Sequence, residues 1–188
     1  MDELKQDYSV YVVEHELEQY SLIKRWLWLL LRSTFIIVLF YRLATHKNPL
    51  IKLLSIPFYK VIRIVSGVQI PRAAKIGKGL FLPHFGNIVL NKKAHYGDDL
   101  TIYHGVTVGA KGGASSDAGV PVIGNKVRLS TGAVVLGNIS IGNNVTVGAG
   151  AVVVKDVPEN AVAVGNPARI LVREAKSANE SSDSVDQK

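Results

Sequence analysis

No cysteine occurs in the 188 residues, which excludes disulfides, thiolate metal sites and an acyl-cysteine intermediate. Any chemistry must use oxygen and nitrogen groups, and a reducing compartment fits. No G-x-S-x-G elbow presents a serine nucleophile. Acids are missing from a long stretch: Ser21 to Lys93 holds 13 Lys or Arg and no Asp or Glu, whereas residues 1 to 20 hold six acids and one lysine. Such an imbalance points the front half toward something anionic. Long apolar runs are missing too. The longest charge-free run in residues 21 to 66 is the nine residues Ser33 to Tyr41, far short of the roughly twenty that cross a bilayer. The opening MDELKQDYSV is acidic where a secretory leader would be basic and then apolar, so a cytoplasmic location is expected.

What is present is a period. Ile70, Ile76, Leu82, Ile88, Ala94, Leu100 and Val106 stand six residues apart; after KGGASSDAGVP the rhythm resumes as Ile123, Leu129, Val135, Ile141, Val147 and Val153. All thirteen are apolar. Six fits neither a 3.6-residue helix face nor a hairpin, so each hexad reads as one very short strand plus a corner. Glycine and asparagine after the apolar residue (IGKG, IGNK, LGNI, IGNNV, VGAG) tolerate the positive φ of tight corners. Three strands and three corners close a triangular coil of eighteen residues. Stacked coils then pair in parallel about 4.8 Å apart with the sixfold positions inside. The fold class is mainly β, a hexapeptide-repeat solenoid from 69 to 170. The interruption, residues 111 to 121, must loop outward from a corner, where it can serve as an active-site flap.

The front, residues 1 to 68, reads as a helical region. Residues 21 to 66 make two helices divided near Asn48-Pro49, or three if Pro57 starts another. Lys24, Arg25, Arg32 and Arg42 fall within about a 100° arc, leaving a wide apolar face with Trp26 and Trp28. That pattern suits a helix lying on an anionic membrane, or one packed against the rest of the protein or a neighbouring subunit; both readings stand. Residues 171 to 188 have almost nothing apolar and read as a disordered tail. Charge alone suggests nucleic acid, but no reading element is present, and none is expected as a partner.

The segments AAKIGKGLFLPHFGNIV, GDDLTIYHGVTVG and IGNNVTVGAGAVVVKDVPENAVAVGNPARI resemble the hexapeptide-repeat acyltransferases of the serine acetyltransferase type, most closely the branch of the colanic acid biosynthesis acetyltransferases. The likeness runs from about residue 56 to 171. It implies a left-handed parallel β-helix, an exception to the right-handed crossover rule, assembled as a homotrimer with acetyl-CoA in the cleft between solenoids and no metal. In the family's G-[LI]-x-[LI]-x-H stretch the histidine is His84, which inherits the role of general base. An imidazole, titrating near 6.5, can take the proton of an attacking hydroxyl, an assistance typically worth 10² to 10⁴ in rate. His104, one coil further, is expected at the same cleft; His95 is expected on the surface. By the same likeness the pantetheine arm runs past Gly109, Ala110 and Lys111 and past Thr131, Gly132, Ala133 and Gly150, with Lys155 and Arg169 contacting phosphates.

Two departures bear on the substrate. The family's orienting aspartate, fifteen residues before the histidine, is Gln69 here, so the orienting carboxylate is missing or comes from elsewhere, with Asp98 or Asp99 on the next coil as the candidates. The family also binds serine with an acid just before the histidine and an Arg-His pair closing the loop, where this chain has Pro83 and Gly119-Val120. A zwitterion needs charged partners when it leaves water, so the expected acceptor is a sugar or lipid-linked saccharide in surface polysaccharide synthesis at the inner membrane face. The alternatives are a serine O-acetyltransferase of cysteine synthesis and an inactive trimeric scaffold.

Overall fold

The computed structural model describes residues 2 to 111 and 119 to 172; most of the predicted flap and nearly all of the predicted tail lie outside the described residues. Four helices lead: α1 Asp2–Glu14, α2 Leu22–Leu30, α3 Ser33–Ala44 and α4 Pro49–Ser66. The strands that follow form three faces. The first holds β1 Val68–Gln69, β3 Ile88–Leu90, β6 Thr107–Gly109, β9 Val134–Leu136 and β12 Val152–Val153. The second holds β2 Lys75–Ile76, β4 His95–Tyr96, β7 Val122–Ile123 and β10 Ser140–Ile141. The third holds β5 Thr101–Ile102, β8 Arg128–Leu129, β11 Thr146–Val147, β13 Ala161–Val164 and β14 Arg169–Val172. Pairing is parallel throughout except at β13 and β14, an antiparallel hairpin that closes the far end.

All thirteen sixfold positions are buried, but they do not form one series. Ile76 pairs with Tyr96 and Tyr96 with Ile123, so the residues in line with Ile123, Leu129 and Val135 are Tyr96, Ile102 and Val108. Ile88, Ala94, Leu100 and Val106 sit two places earlier in the hexad, in line with the buried Val127 and Ala133. Each hexad therefore turns two side chains inward, and the sequence period steps from one to the other. The step lies between Phe81 and Val89: these pair with Thr101 and Thr107, so eight residues on one coil match six on the next.

The helical region departs from the two- or three-helix expectation. Residues 22 to 44 break at Leu31 and Arg32, where α2 and α3 meet at 95°, and the Arg32 guanidinium lies 4.1 Å from the Trp28 ring centre. The bend lets α3 bury Phe35, Ile37, Val38 and Tyr41 while Trp26 reaches Phe35 and Tyr8 from α2. The Asn48-Pro49 boundary does begin α4, with the Asn48 side chain accepting from the Leu50 N–H at 2.9 Å. Pro57 does not start another helix; the carbonyl it leaves unpaired is that of exposed Leu53. No single helix among the described residues is long and apolar enough to cross a membrane.

Arg42 is not on an exposed basic arc. It is buried and pairs with fully buried Asp7 of α1, Nε to Oδ2 at 2.7 Å, because the first coil presents a row of backbone groups with no strand beyond it. Side chains from the helices take those groups in turn. Tyr59 donates to the Ile70 carbonyl (2.7 Å), Tyr41 to that of Ala74 (2.8 Å), and Arg42 to those of Ile76 (2.9 Å) and Gly77 (2.5 Å). Asp7 accepts from the Leu80 N–H (2.8 Å), and the Tyr11 hydroxyl accepts from the Leu82 N–H (3.1 Å) while facing the Leu82 carbonyl (3.3 Å).

Arg42→Met leaves Asp7 as a buried uncompensated charge and is expected to cost roughly 3 to 5 kcal/mol. The Asp7→Asn, Arg42→Met double variant should lose less than Arg42→Met alone; urea denaturation of the three proteins measures both. Burial pushes the Tyr11, Tyr41, Tyr59 and Tyr96 hydroxyls up, Tyr41 to about 12. A pKa raised by folding gives stability that is whole below the unfolded value, about 10, and is lost as pH climbs toward the folded value. Far-ultraviolet circular dichroism should therefore hold to about pH 10 and then fall in step with tyrosinate absorbance.

Candidate active site

The two extra residues between Phe81 and Val89 form an outward bulge at the corner joining the third face to the first. Pro83 brings no N–H to the ladder, and Asn87 and Gly86 adopt φ of 50° and 115°, a region open to Asn and Gly. The bulge is tied down at the Gly86 carbonyl, which accepts from Gly105 at 2.9 Å. It lifts His84 into solvent beside half-exposed Phe85. The next coil brings Tyr103 and His104 to the same corner, ring centres 6.3 and 5.9 Å from that of His84. His84 is thus an exposed imidazole on a rigid bulge, paired with a second exposed imidazole.

Tyr11 bears directly on this bulge. Its hydroxyl holds both backbone groups of Leu82, two residues before His84. Neither Tyr11 nor Tyr103 was singled out in the sequence, because an N-terminal helix and a coil corner meet only in the fold. The bulge itself had a signal: Leu90, Tyr96, Ile102 and Val108 form a second sixfold apolar series, the one that strand pairing sets in line with Ile123.

The replacement carboxylates are not at this corner. Asp98 and Asp99 sit where the second face meets the third, in a ladder in which Asp98 Oδ1 accepts from Lys78 N–H, Asn125 Oδ1 from Asp98 N–H and Asn143 Oδ1 from Asn125 N–H. Asp99 Oδ1 faces Gln6 Nε2 at 3.4 Å. Asp98 thus satisfies a corner amide, the role that Asn125 and Asn143 repeat on the following coils. Gln69 lies exposed on β1 of the first face, paired with Val89. His95 is exposed on β4 of the second face, away from His84.

The residues expected at acetyl-CoA fall on the two edges that bound the first face. Thr131, Gly132, Ala133 and Gly150 stack along the His84 edge: Gly132 N–H donates to the His104 carbonyl and Gly150 N–H to that of Thr131, at 3.0 and 2.9 Å. The Ala133 methyl is fully buried, its N–H donates to the Ser130 carbonyl, and its own carbonyl accepts from Thr107. These three amides serve the solenoid, so the side chain of Thr131 and the glycine surfaces are what this edge offers a ligand. Gly109, Ala110, Lys111 and Lys155 lie along the opposite edge, with Lys111 and Lys155 exposed. Gly137 N–H donates to the Gly109 carbonyl at 3.1 Å, and a side chain at Gly137 would meet Lys111 Cβ at 3.3 Å. Arg169 is exposed on β14. Within one chain the two sets are separated by the width of the first face. Among the described residues no cluster of three His, Asp or Glu side chains is placed to hold a metal ion.

Residues 121 to 155 match the family of bacterial transferase hexapeptide, six repeats. The chain is 36% identical to a serine acetyltransferase of Helicobacter pylori over 80% of its own length and 88% of that protein's. It is 42% identical to the colanic acid biosynthesis acetyltransferase WcaB of Escherichia coli over 72% of its length and 88% of that protein's. With the chloroplastic serine acetyltransferase 1 of Arabidopsis thaliana the identity is 53%, over 55% of this chain and only 33% of that one. A solved serine acetyltransferase in complex with cysteine superposes with a TM-score of 0.72 at 33% identity, covering 90% of this chain and 69% of that one. The solenoid is a left-handed β-helix. The chain belongs to the hexapeptide-repeat acyltransferases of the serine acetyltransferase type, a family of O-acetyltransferase enzymes.

Tyr11→Phe keeps the ring packing against Phe35 and Phe81 but frees both Leu82 groups. It is expected to cost about 1 to 3 kcal/mol of stability and to lower kcat more than it raises KM, because the bulge that carries His84 loosens. Steady-state kinetics beside urea denaturation checks both.

Proposed function

We propose that the chain is an acetyl-CoA-dependent O-acetyltransferase that acts on a sugar hydroxyl in surface polysaccharide synthesis, and that it works as a homotrimer. The observation that carries the chemistry is the exposed His84 ring on its bulge, 5.9 Å from His104 between ring centres. In the proposed step His84 takes the acceptor's hydroxyl proton as the oxygen attacks the thioester carbonyl. The carbon–sulfur bond breaks, CoA leaves as the thiolate and regains the proton, and an O-acetyl ester and free CoA result. Assembly as a trimer is supported by the split of the candidate residues: a neighbour laid along the first face would close one edge against another and give CoA two walls.

The sugar reading rests on Pro83, which precedes the histidine, and on Gly119 and Val120, where the loop of the opposite edge returns and which a trimer would bring to a neighbour's His84; none of the three carries a charge to hold a zwitterion. A side chain at 119 would sit 2.2 Å from Asn138 Cβ, so a longer residue there requires the loop to shift. The likeness to WcaB, named for colanic acid biosynthesis, supports the same reading. The second reading, serine O-acetylation, is favoured by the names of the H. pylori and Arabidopsis relatives and of the superposed structure.

Thiol release from acetyl-CoA, followed with L-serine and with nucleotide-linked and oligosaccharide hexoses, tells the readings apart. Sugar-dependent turnover is expected, with serine at the background of hydrolysis, and His84→Ala should lower the rate by about 10² to 10⁴. Serine-dependent turnover that vanishes in His84→Ala would establish the second reading. Acceptor-dependent turnover that survives His84→Ala would remove His84 as the base, and no turnover above hydrolysis with any acceptor would leave the solenoid as a scaffold.

A further inference from the structure

We infer that α4 is a membrane-surface anchor, laying its outer face onto anionic lipid. Leu50, Leu54, Phe58, Val61, Ile64 and Val65 are all exposed, Val65 to 81%, and at 100° per residue they fall within about a 120° arc. The stripe runs the length of an 18-residue helix, about 27 Å. The opposite side of α4 is the one used by the fold: Tyr59 and Ser55 are buried there, and Tyr59 reaches Ile70. The outer stripe is therefore not needed to hold the solenoid, and in water it is unfavourable.

Charge identifies the occupant. Lys60 borders the stripe, about 40° beyond Ile64, whereas Lys52 and Arg63 lie on the Tyr59 side; no Asp or Glu occurs between Ser21 and Lys93. A second copy packed stripe to stripe would set Lys60 of each copy beside the other stripe with no acid on either helix to balance it. An anionic lipid surface supplies both an apolar layer for the stripe and counter-charge for Lys60, the two contributions that make surface binding stable. The helix lies flat, since no single described helix is long and apolar enough to span. Lys24 and Arg25 on α2 and Arg32 at the break that follows it carry the same sign. The anchor uses none of the residues of the acetyl-transfer proposal and does not depend on it.

The test is sedimentation of the full chain with vesicles of phosphatidylglycerol and phosphatidylcholine, beside vesicles of phosphatidylcholine alone, at low and high salt. Pelleting with the anionic vesicles only, reduced by salt, is expected. Lys60→Gln should weaken the partition about fivefold, at the usual contribution per surface lysine. Val61→Asp with Val65→Asp should abolish it. All three positions are exposed, so the circular dichroism of each variant should match the parent. Protein left in the supernatant with anionic vesicles overturns the inference, as does equal binding to neutral vesicles or α4 variants that bind as the parent does. A mass increase without lipid that the Val61→Asp, Val65→Asp pair abolishes also overturns it, assigning the stripe to a second copy.

Discussion

A parallel solenoid has two open ends, and at each the last coil exposes a row of backbone N–H and C=O groups that no further coil will pair. At the far end the chain folds its last strand back as an antiparallel hairpin, β13 against β14. At the near end it cannot, because the incoming chain is helical. The solution is a set of long polar side chains from the helices, each reaching one or two backbone groups of the first coil: Tyr59, Tyr41, Arg42, Asp7 and Tyr11. Everything else about the front of the molecule depends on this capping. It requires α1, so the acidic first turns are part of the fold rather than an appendage; it buries one arginine of an otherwise basic region and pairs it with an aspartate from the acidic one.

The same cap reaches the candidate site. The edge group nearest His84 is Leu82, held by Tyr11, and the bulge begins immediately after it. On its other side the bulge is held by the ladder through Gly86 and Gly105. A flexible excursion would leave the imidazole free to wander; pinned at both ends, it presents the ring at a constant place beside His104. The corner between the second and third faces spends its polar side chains on backbone N–H groups of the neighbouring coil, as the Asp98, Asn125 and Asn143 ladder does. At the His84 corner the rings of His84, Tyr103 and His104 gather instead, and there the eight-residue hexad departs from the repeat.

The helices then divide by what the cap needs. Buried α3 and the inner sides of α1 and α4 face the first coil, and the outer sides of α2 and α4 stay apolar and exposed. A single wide apolar face read around one helix is thus two different surfaces on several helices, separated by the 95° bend at Leu31 and Arg32.

The solenoid was legible because a hexad repeats one local solution: an apolar residue that must be inside and a corner that wants Gly or Asn, and every one of the thirteen positions is buried. His84 stood out for the same reason, as a titratable ring in an apolar and glycine-rich run. The register slip was harder to read, since both inward positions of a hexad accept apolar residues and a two-residue step preserves the count of six. The sequence by itself determined the repeat, its corners and the family. The tertiary structure alone decided which strand partners Tyr96 and Ile102 take, that Asp98 and Asp99 serve a corner far from the histidine, and that Arg42 turns inward to Asp7. Those are outcomes of pairing between residues up to 93 positions apart, as between Gln6 and Asp99, and no local propensity encodes which backbone group will be left at an edge for a distant side chain to satisfy.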